Sequence, residues 1–375
     1  MAGLAACALL LAGPPGAVAV VGGEEIGVGP AVPTSPPNLI VIQTDDQTHD
    51  DLYAEMRDAD GVRAPAMPAT RNLIGRRGIT FGRYYATYPL CCPARATLLT
   101  GQYAHTNGVL GNNPPRGGWH GFRASRAYRA NLATWLQGAG YRTIHIGKFL
   151  NHYGTDERPE PIVPPGWNVW QSDATDNSGR FFYGYTWNID GRIAGPFGDP
   201  EYGQFKAVDR PGCFLAPVDD PGCNHKTDEI TRRAVDQIEI AAELPAPIYM
   251  QLDYNAPHGD HQPPIGPEPT PRNYGRADRT PIPRGPAFNE ADVSDKPSFI
   301  RDHAERFGGF EMRRIRVEYR KSLESLRDVD DGVRRIIATL RRTGELQNTY
   351  ILFTSDNGFF RGEHRLDRAK FLPYE

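Results

Sequence analysis

The segment CCPARATLLTG, residues 91–101, holds side chains whose types and spacing could do chemistry. Pro93 suits the first turn of a helix, because the N–H that proline lacks would be unpaired there, and Gly101 is a typical helix end. Cys91 is therefore predicted at a helix N-terminus, where free N–H groups and the helix dipole favour an anion. Arg95, one turn later, adds a positive charge near the same place. The pattern predicts a cysteine beside an anion-binding site.

A Cys-Cys pair by itself is better explained by two buried core thiols or half-cystines, because short motifs often match by chance. The Leu-Thr-Gly at residues 99–101 and the polar residues found elsewhere in the chain favour the functional interpretation. Cys92 is then expected to be a buried thiol.

Four short oxygen-bearing side chains follow two apolar runs that lie far apart in the sequence. Asp45 and Asp46 follow the run NLIVIQ, and Asp356 and Asn357 follow the run TYILFT. The carboxyl ends of parallel strands share one edge of a sheet, so the four side chains could meet there. An all-oxygen set with three carboxylates suits a hard cation, Ca²⁺ or with less preference Mg²⁺, rather than zinc. Alone, each pair is also typical of a turn or a helix cap.

Three cations complete the candidates. Lys148 follows a predicted strand in Gly-Lys, His258 follows another in Ala-Pro-His, and Lys370 lies near residue 375. Singly, each is better explained as a surface cation or a hydrogen-bonded polar group. An anionic tetrahedral ester, however, needs a ring of cations that neutralise its oxygens and stabilise the charge developing in the transition state.

These motifs, C-x-P-x-R with Leu-Thr-Gly, T-D-D, Gly-Lys, Ala-Pro-His and S-D-N-G, resemble those of the sulfatases from about residue 37 to residue 375. The resemblance implies that Cys91, two residues before Pro93, is converted to formylglycine by a formylglycine-generating enzyme. It also implies two groups of site residues. The catalytic group is Cys91, Arg95, Lys148, His258 and Lys370, and the Ca²⁺ group is Asp45, Asp46, Asp356 and Asn357.

What the resemblance implies is a hydrolase for organic sulfate esters. The formylglycine would be hydrated to a geminal diol, and one hydroxyl, polarised by the metal, would attack sulfur while His258 or Lys370 protonates the leaving oxygen. The second hydroxyl would then expel sulfate. A serine or an unmodified cysteine lacks this exit, which explains why a modified residue is needed.

One position departs from the family pattern. Many sulfatases have a histidine two residues after the Gly-Lys lysine, where this chain has Leu150, followed by Asn151 and His152. The stretches 147–154 and 343–358 resemble the N-acetylglucosamine-6-sulfatase branch, which implies a 6-sulfated N-acetylhexosamine of a glycosaminoglycan, or a similar sulfated sugar, as substrate. Asn151 and His152 are assigned to substrate binding, and which of them assists the formylglycine stays open.

Two other classes of function stay open. A phosphomonoesterase or phosphonate monoester hydrolase would share the fold, the metal and even the formylglycine, because phosphate and sulfate esters are alike in shape and charge. The second class is a non-catalytic, Ca²⁺-dependent binder of sulfated glycans that is never modified at Cys91.

The pattern of apolar runs predicts the elements that must position these residues. Runs at 38–43, 141–146, 247–252 and 349–354 are typical of buried strands, and helical spacing marks 230–241 and 315–340, so we predict an α/β fold. Residues 79–84 are predicted as a further strand, and a hairpin is expected around residues 188–191. The resemblance adds an alkaline-phosphatase-like sandwich with a large, mostly parallel sheet flanked by helices.

The predicted domains are a leader at 1–32 and a catalytic domain at 37–375, with irregular insertions at about 154–224 and 259–300. The aromatic region 166–190 and the proline-rich loop 263–297 are expected to form the walls of the sugar pocket. Sulfatases usually continue into a smaller C-terminal subdomain, so we expect this chain to be a fragment or an unusually short member.

Composition limits the partners. The chain has 375 residues and a formal net charge of −3, which leaves no electrostatic footprint for nucleic acid. Residues 4–21 are apolar but too interrupted by Gly and Pro for a stable membrane span, and they resemble a secretory signal. We therefore expect a secreted, extracytoplasmic protein, with a lipid anchor at Cys7 as the minor alternative. A local disulfide between Cys213 and Cys223 suits that oxidising location, and no zinc site is expected.

Overall fold

The computed structural model describes residues 36–154, 161–174, 182–198, 224–259, 266–302 and 305–372. The predicted leader, Cys7 and the predicted disulfide between Cys213 and Cys223 lie outside these residues. The insertions predicted at 154–224 and 259–300 are described only in part, and the domain bounds stay a prediction.

Nine strands are present in the described part of the chain. They are β1 Asn38–Thr44, β2 Glu55–Arg57, β3 Arg63–Pro65, β4 Arg142–Gly147, β5 Val169–Asp173, β6 Tyr185–Ile189, β7 Arg192–Phe197, β8 Ile248–Asp253 and β9 Thr349–Ser355. Seven form one sheet in the order β7-β6-β5-β4-β8-β1-β9, and β2 and β3 form a small antiparallel sheet. The predicted α/β class with a large, mostly parallel sheet is confirmed.

Five neighbouring strands of the large sheet are parallel: β5, β4, β8, β1 and β9. Beside β5, the strands β6 and β7 extend the sheet as an antiparallel hairpin. In β1, Gln43 lies opposite both Asp253 of β8 and Thr354 of β9. The carboxyl ends of these three central strands therefore lie side by side. This register is what brings the polar residues that follow each strand to one edge of the sheet.

Eight α-helices accompany the strands in the described residues. They are α1 His49–Tyr53, α2 Cys91–Thr100, α3 Ala104–Asn107, α4 Gly118–Ala124, α5 Leu132–Gly138, α6 Lys226–Ala242, α7 Ser298–Arg301 and α8 Gly309–Arg342. A π-helical turn at Thr70–Ile74 and a 3₁₀ turn at Gly75–Arg77 lie between β3 and α2.

Helices cover both faces of the large sheet, because alternate side chains of each strand point to opposite faces. Ile40 and Ile42 pack with apolar residues of α6 and α8 on one face. Val41, between them, packs with α2, α4 and the Trp167 and Trp170 rings on the other face. The core on this second face fixes α2 and β1 relative to each other, and so positions the N-terminus of α2 at the strand ends. No helix in the described residues combines the length and apolar character needed to cross a bilayer.

Two local expectations have different outcomes. The hairpin is confirmed, with Asp190 at φ 48° and Gly191 at φ 88° in the turn between β6 and β7. The strand predicted at residues 79–84 is wrong. Ile79 is 82% exposed and Phe81 68% exposed, and the segment has no strand partner in the described part of the chain. An apolar run becomes a strand only where a sheet edge is available to pair with it.

Candidate active site

The site lies where β1, β8 and β9 end and α2 begins. Two backbone hydrogen bonds hold the strand ends together: Asp356 N donates to Thr44 O at 3.1 Å, and Asp45 N donates to Ala256 O at 3.2 Å. Asp45 is fully buried, and Asp46, Asp356 and Asn357 are nearly so. The predicted meeting of these side chains at one sheet edge therefore occurs.

Cys91 is the first residue of α2, and its side chain is 1% exposed. Its Sγ lies 3.0 Å from Nζ of Lys370 and 3.7 Å from Oδ1 of Asp45. The N-terminus of α2 is capped from outside, because Oδ1 of Asn112 accepts the N–H of Cys92 at 2.9 Å. Burial and the nearby Asp45 carboxylate raise the pKa of Cys91 to about 11. The unmodified thiol is therefore protonated at neutral pH, which makes it a weak nucleophile.

Arg95 and Lys148 are buried cations that face the carboxylates. Nε of Arg95 lies 2.9 Å from Oδ2 of Asp356, and its Nη2 lies 3.1 Å from Oδ2 of Asp45. Nζ of Lys148 contacts the same Asp45 oxygen. Burial would raise the pKa of Asp45, but Lys148, His258 and Arg95 outweigh it and hold that pKa well below its usual range.

Gly147 positions Lys148. It has a φ of 112°, and a Cβ at this position would lie 2.0 Å from the carbonyl oxygen of Asp253. The same oxygen accepts the N–H of Lys148 at 2.8 Å. Only glycine permits this close approach of β4 to β8, which turns the lysine side chain into the site.

The four predicted metal ligands fit a hard divalent cation. One carboxylate oxygen of each of Asp45, Asp46 and Asp356 lies within 4.8 Å of the others. Nδ2 of Asn357 donates to Oδ1 of Asp46 at 2.7 Å, while Oδ1 of Asn357 is buried without a hydrogen-bond partner among the described residues. Burial and the Asp45 carboxylate raise the pKa of Asp356 to about 6. Three crowded carboxylates and one unpaired buried oxygen are the donor set that Ca²⁺ or Mg²⁺ prefers.

His258 and Lys370 approach the same carboxylates from outside the sheet. Nε2 of His258 lies 3.7 Å from Oδ2 of Asp46, and its Nδ1 donates to Gly259 O at 2.8 Å. Burial lowers the pKa of His258 to about 4, so the ring is neutral at pH 7. Nζ of Lys370 lies 2.5 Å from Oδ1 of Asp46, and carboxylates around it hold its pKa well above the usual range despite burial.

Asn151 and His152, predicted to bind substrate, lie beside Cys92 and Asn113. Asn151 lies against the neighbouring thiol, with its Oδ1 3.2 Å and its N 3.1 Å from Sγ of Cys92. Nε2 of His152 lies 3.0 Å from Oδ1 of Asn113. The structure thus brings together all the predicted catalytic and metal residues, and places these two beside them.

Sequence reasoning missed Asp253, which ends β8 with 1% exposure and lies 3.3 Å from Nη1 of Arg95. The position of Asp253 at a strand end is the same signal that pointed to Asp45 and Asp356. Asn112 was also missed, and no local pattern marks it.

The pocket walls differ from those expected. The aromatic side chains that the structure describes in region 166–190 belong to the two cores and are at most 8% exposed: Trp167, Trp170, Phe182, Tyr183, Tyr185 and Trp187. They are unavailable for stacking on a sugar, because the strands of this region are buried on both faces. A cavity of about 1020 Å³ borders Asn357 instead, and its walls include Tyr84, Tyr85, Tyr88 and Phe371. Of the loop residues described, from 266 to 297, Ile282 and Pro283 line this cavity.

Comparisons with known proteins agree with this geometry. A protein-family model described as Sulfatase matches residues 37–375. The arylsulfatase of Volvox carteri is 30% identical over 363 residues, covering 90% of this chain and 49% of that protein. The human N-acetylglucosamine-6-sulfatase is 30% identical over 368 residues, covering 96% of this chain and 58% of that protein. The chain spans about half the length of the curated relatives it matches.

The fold is also shared with solved structures. A protein described as bound to its substrate D-glucosamine-2-N,6-O-disulfate superposes with a TM-score of 0.60 at 21% identity. The match covers 88% of this chain and 67% of that one. At this identity the likeness concerns the fold alone.

Proposed function

This chain belongs to the sulfatase family, and we propose that it hydrolyses organic sulfate esters with a formylglycine made from Cys91 and one divalent ion, Ca²⁺ before Mg²⁺. The observation that carries the proposal is the position of Cys91 Sγ, 3.0 Å from Nζ of Lys370 and 3.7 Å from Oδ1 of Asp45. A group at this position is flanked by a cation on one side and by the crowded carboxylates on the other.

The ion would be held by Asp45, Asp46, Asp356 and Asn357, where it would supply positive charge beside the reacting group. Formylglycine, once hydrated, supplies a hydroxyl nucleophile and the second hydroxyl that releases sulfate. The buried carboxylates keep these groups oriented without the substrate, so little reorganisation is needed when charge develops.

The cations of the site would have three different roles: to orient the metal ligands, to neutralise the sulfate oxygens and to protonate the leaving group. Arg95 holds two of the ligand carboxylates and so orients them. Lys148 and Lys370 carry permanent charge next to the position of Cys91 and would neutralise the sulfate oxygens. His258 or Lys370 would protonate the leaving alcohol: Lys370 holds its proton at pH 7, whereas His258, which lies 3.7 Å from Asp46, would first have to take one up.

For the substrate we propose a 6-sulfated N-acetylhexosamine or a similar sulfated sugar. The support is the branch-like sequence at 147–154 and 343–358, together with the human relative named N-acetylglucosamine-6-sulfatase. The glucosamine disulfate bound by the structural neighbour agrees with a sulfated sugar. Asn151 and His152, next to the Cys92 side of the site, are proposed as the sugar contacts. The apolar leader supports export to an oxidising location.

The test is expression of the full chain with a formylglycine-generating enzyme. Mass spectrometry of the Cys91 peptide measures conversion, and turnover is then compared for aryl sulfate, aryl phosphate and a panel of sulfated sugars. Conversion with preferential sulfate turnover is expected. Preference for aryl phosphate would favour the phosphoester alternative, and glycan binding by an unconverted protein without turnover would favour the binder. Turnover of aryl sulfate but of no 6-sulfated hexosamine would contradict the substrate alone.

A further inference from the structure

Asp253 is a buried carboxylate that the proposed chemistry does not use. Its Oδ1 lies 3.3 Å from Nη1 of Arg95. Its Oδ2 accepts two hydrogen bonds, from Nε2 of His145 at 3.0 Å and from Nε2 of Gln251 at 2.9 Å. Because a carboxylate only accepts, the ring N–H of His145 is the donor. One oxygen of Asp253 is thus held by His145 and Gln251, and the other faces the guanidinium of Arg95.

The donors that hold Asp253 are themselves fixed. The His145 ring stacks on Trp170 with centroids 4.5 Å apart, and Oε1 of Gln251 accepts the hydroxyl of Tyr249 at 2.7 Å. All of these side chains are buried, with His145 and Trp170 at 0% exposure. The carboxylate therefore has no room to follow Arg95 if the guanidinium moves, which makes it a rigid anchor.

Arg95 faces three carboxylates, and two of them are proposed metal ligands. Its guanidinium pairs with Asp356 at 2.9 Å and with Asp45 at 3.1 Å, in addition to Asp253. A buried cation needs counter-charge close by. Where Arg95 neutralises the charge of Asp45 and Asp356, these carboxylates attract a divalent ion less strongly. The ion and the guanidinium therefore compete for the same two carboxylates.

The charge balance of the cluster makes this competition important. Four buried carboxylates, Asp45, Asp46, Asp253 and Asp356, face three permanent cations, Arg95, Lys148 and Lys370. The cluster therefore holds one more carboxylate than permanent cation. Without Asp253 the two numbers are equal, and a divalent ion would have to enter a cluster with no excess of negative charge.

We propose that Asp253 is a positioning residue that serves as the dedicated counter-ion of Arg95 and so leaves Asp45 and Asp356 available to the metal ion. The proposal rests on the metal site of the proposed function. It assigns Asp253 no contact with the substrate and no share in proton transfer.

The experiment is chelator competition for Ca²⁺ on purified full-length protein, so that ion affinity is read without catalysis. Asp253→Asn keeps the shape of the side chain and removes its charge, and we expect Ca²⁺ affinity to fall about ten-fold or more. The double variant Arg95→Gln/Asp253→Asn removes both charges and should return the affinity to within about three-fold of the wild type. Asp328→Asn is the matched control. Asp328 is equally buried and accepts hydrogen bonds from Thr270 N at 2.7 Å and Asn273 Nδ2 at 2.6 Å, but it lies on α8.

Each outcome of this experiment supports or contradicts the counter-ion role of Asp253. Unchanged affinity in Asp253→Asn, or equal losses in it and in Asp328→Asn, would overturn the counter-ion role. If Asp253→Asn fails to fold, recovery of the folded protein in the double variant supports the role, and failure of both variants shows that Asp253 serves packing instead. Absence of a tightly bound ion in the wild type would contradict the metal site of the proposed function. If the wild type binds the ion and Asp253→Asn binds it equally well, only this inference is contradicted.

Discussion

Nζ of Lys370 lies 3.0 Å from Sγ of Cys91, although the two residues are 279 positions apart in the chain. The segment that carries Lys370 is tied down on both sides. Phe371 N donates to Pro89 O at 2.8 Å, immediately before α2, and Nη2 of Arg368 pairs with Oε1 of Glu318 on α8 at 2.7 Å. These contacts place a permanent positive charge over the N-terminus of α2.

Removing that charge should slow the reaction more than it unfolds the protein. In Lys370→Gln we expect kcat/KM for a sulfate ester to fall about 100-fold, because a charged group directly at the reacting position is lost. Lys296→Gln is the control, since Lys296 pairs with Asp295 on the proline-rich loop instead. Steady-state kinetics of both variants decides, and equal activities would contradict the role of Lys370.

The two adjacent cysteines should respond differently to substitution. Cys91→Ala should abolish sulfate-ester turnover, because the proposed formylglycine is no longer formed. Cys92→Ala should retain turnover and lose about 1–2 kcal/mol of unfolding free energy, since its buried thiol packs against Asn151. Urea denaturation and turnover assays separate the two effects. Activity that survives in Cys91→Ala would eliminate the mechanism.

Removal of the ion should affect stability as well as activity. Asp356→Ala deletes a carboxylate that lies within 4.8 Å of the other two and accepts the N–H of Asp46 at 3.1 Å. We expect the variant to lose the ion and its activity, and to gain no thermal stability from added Ca²⁺, whereas the wild type gains several degrees, because an ion that binds only the folded state stabilises it. Elemental analysis and thermal denaturation with and without Ca²⁺ test this. An ion retained by Asp356→Ala would show that other residues hold it.

The buried His225, which is not among the proposed metal ligands, should make the stability of the protein depend on pH. Its Nδ1 accepts the N–H of Thr227 at 3.2 Å as the N-cap of α6, and its Nε2 donates to Glu268 O at 2.8 Å. Burial lowers its pKa from the usual 6.5 to about 4. Between these two pH values the histidine binds a proton in the unfolded chain but not in the folded chain. The free energy of unfolding is therefore not reduced by His225 above pH 6.5, and it decreases as the pH falls from 6.5 towards 4.

The size of this effect is about 2 kcal/mol between pH 7 and pH 5, from the difference in proton uptake. His225→Asn keeps an N-cap acceptor but does not titrate. Urea denaturation at the two pH values should therefore show a loss of stability that is about 2 kcal/mol smaller in the variant than in the wild type. Equal losses in the two proteins would contradict the assignment.

The strands and the chemistry at their ends could be predicted because both depend on local sequence. Continuous apolar runs mark strands buried on both faces, and in parallel strands the residues that follow each run lie at a common edge. Asp45, Asp46, Asp356 and Asn357 were expected to meet for this reason. The helix from Cys91 to Thr100 also follows from local rules, with proline in its first turn and Gly101 at φ 66° after its end.

What the sequence determined is therefore which segments are buried and which polar groups end them. What only the tertiary structure decided is the partner of each buried group: Asp253 beside Arg95, Asn151 against Cys92, and the tryptophans of region 166–190 inside the cores instead of around a sugar. The period of an apolar pattern reports that a face is covered but carries no information about what covers it. Contacts between residues hundreds of positions apart depend on strand order and register, which arise only when the whole sheet is assembled.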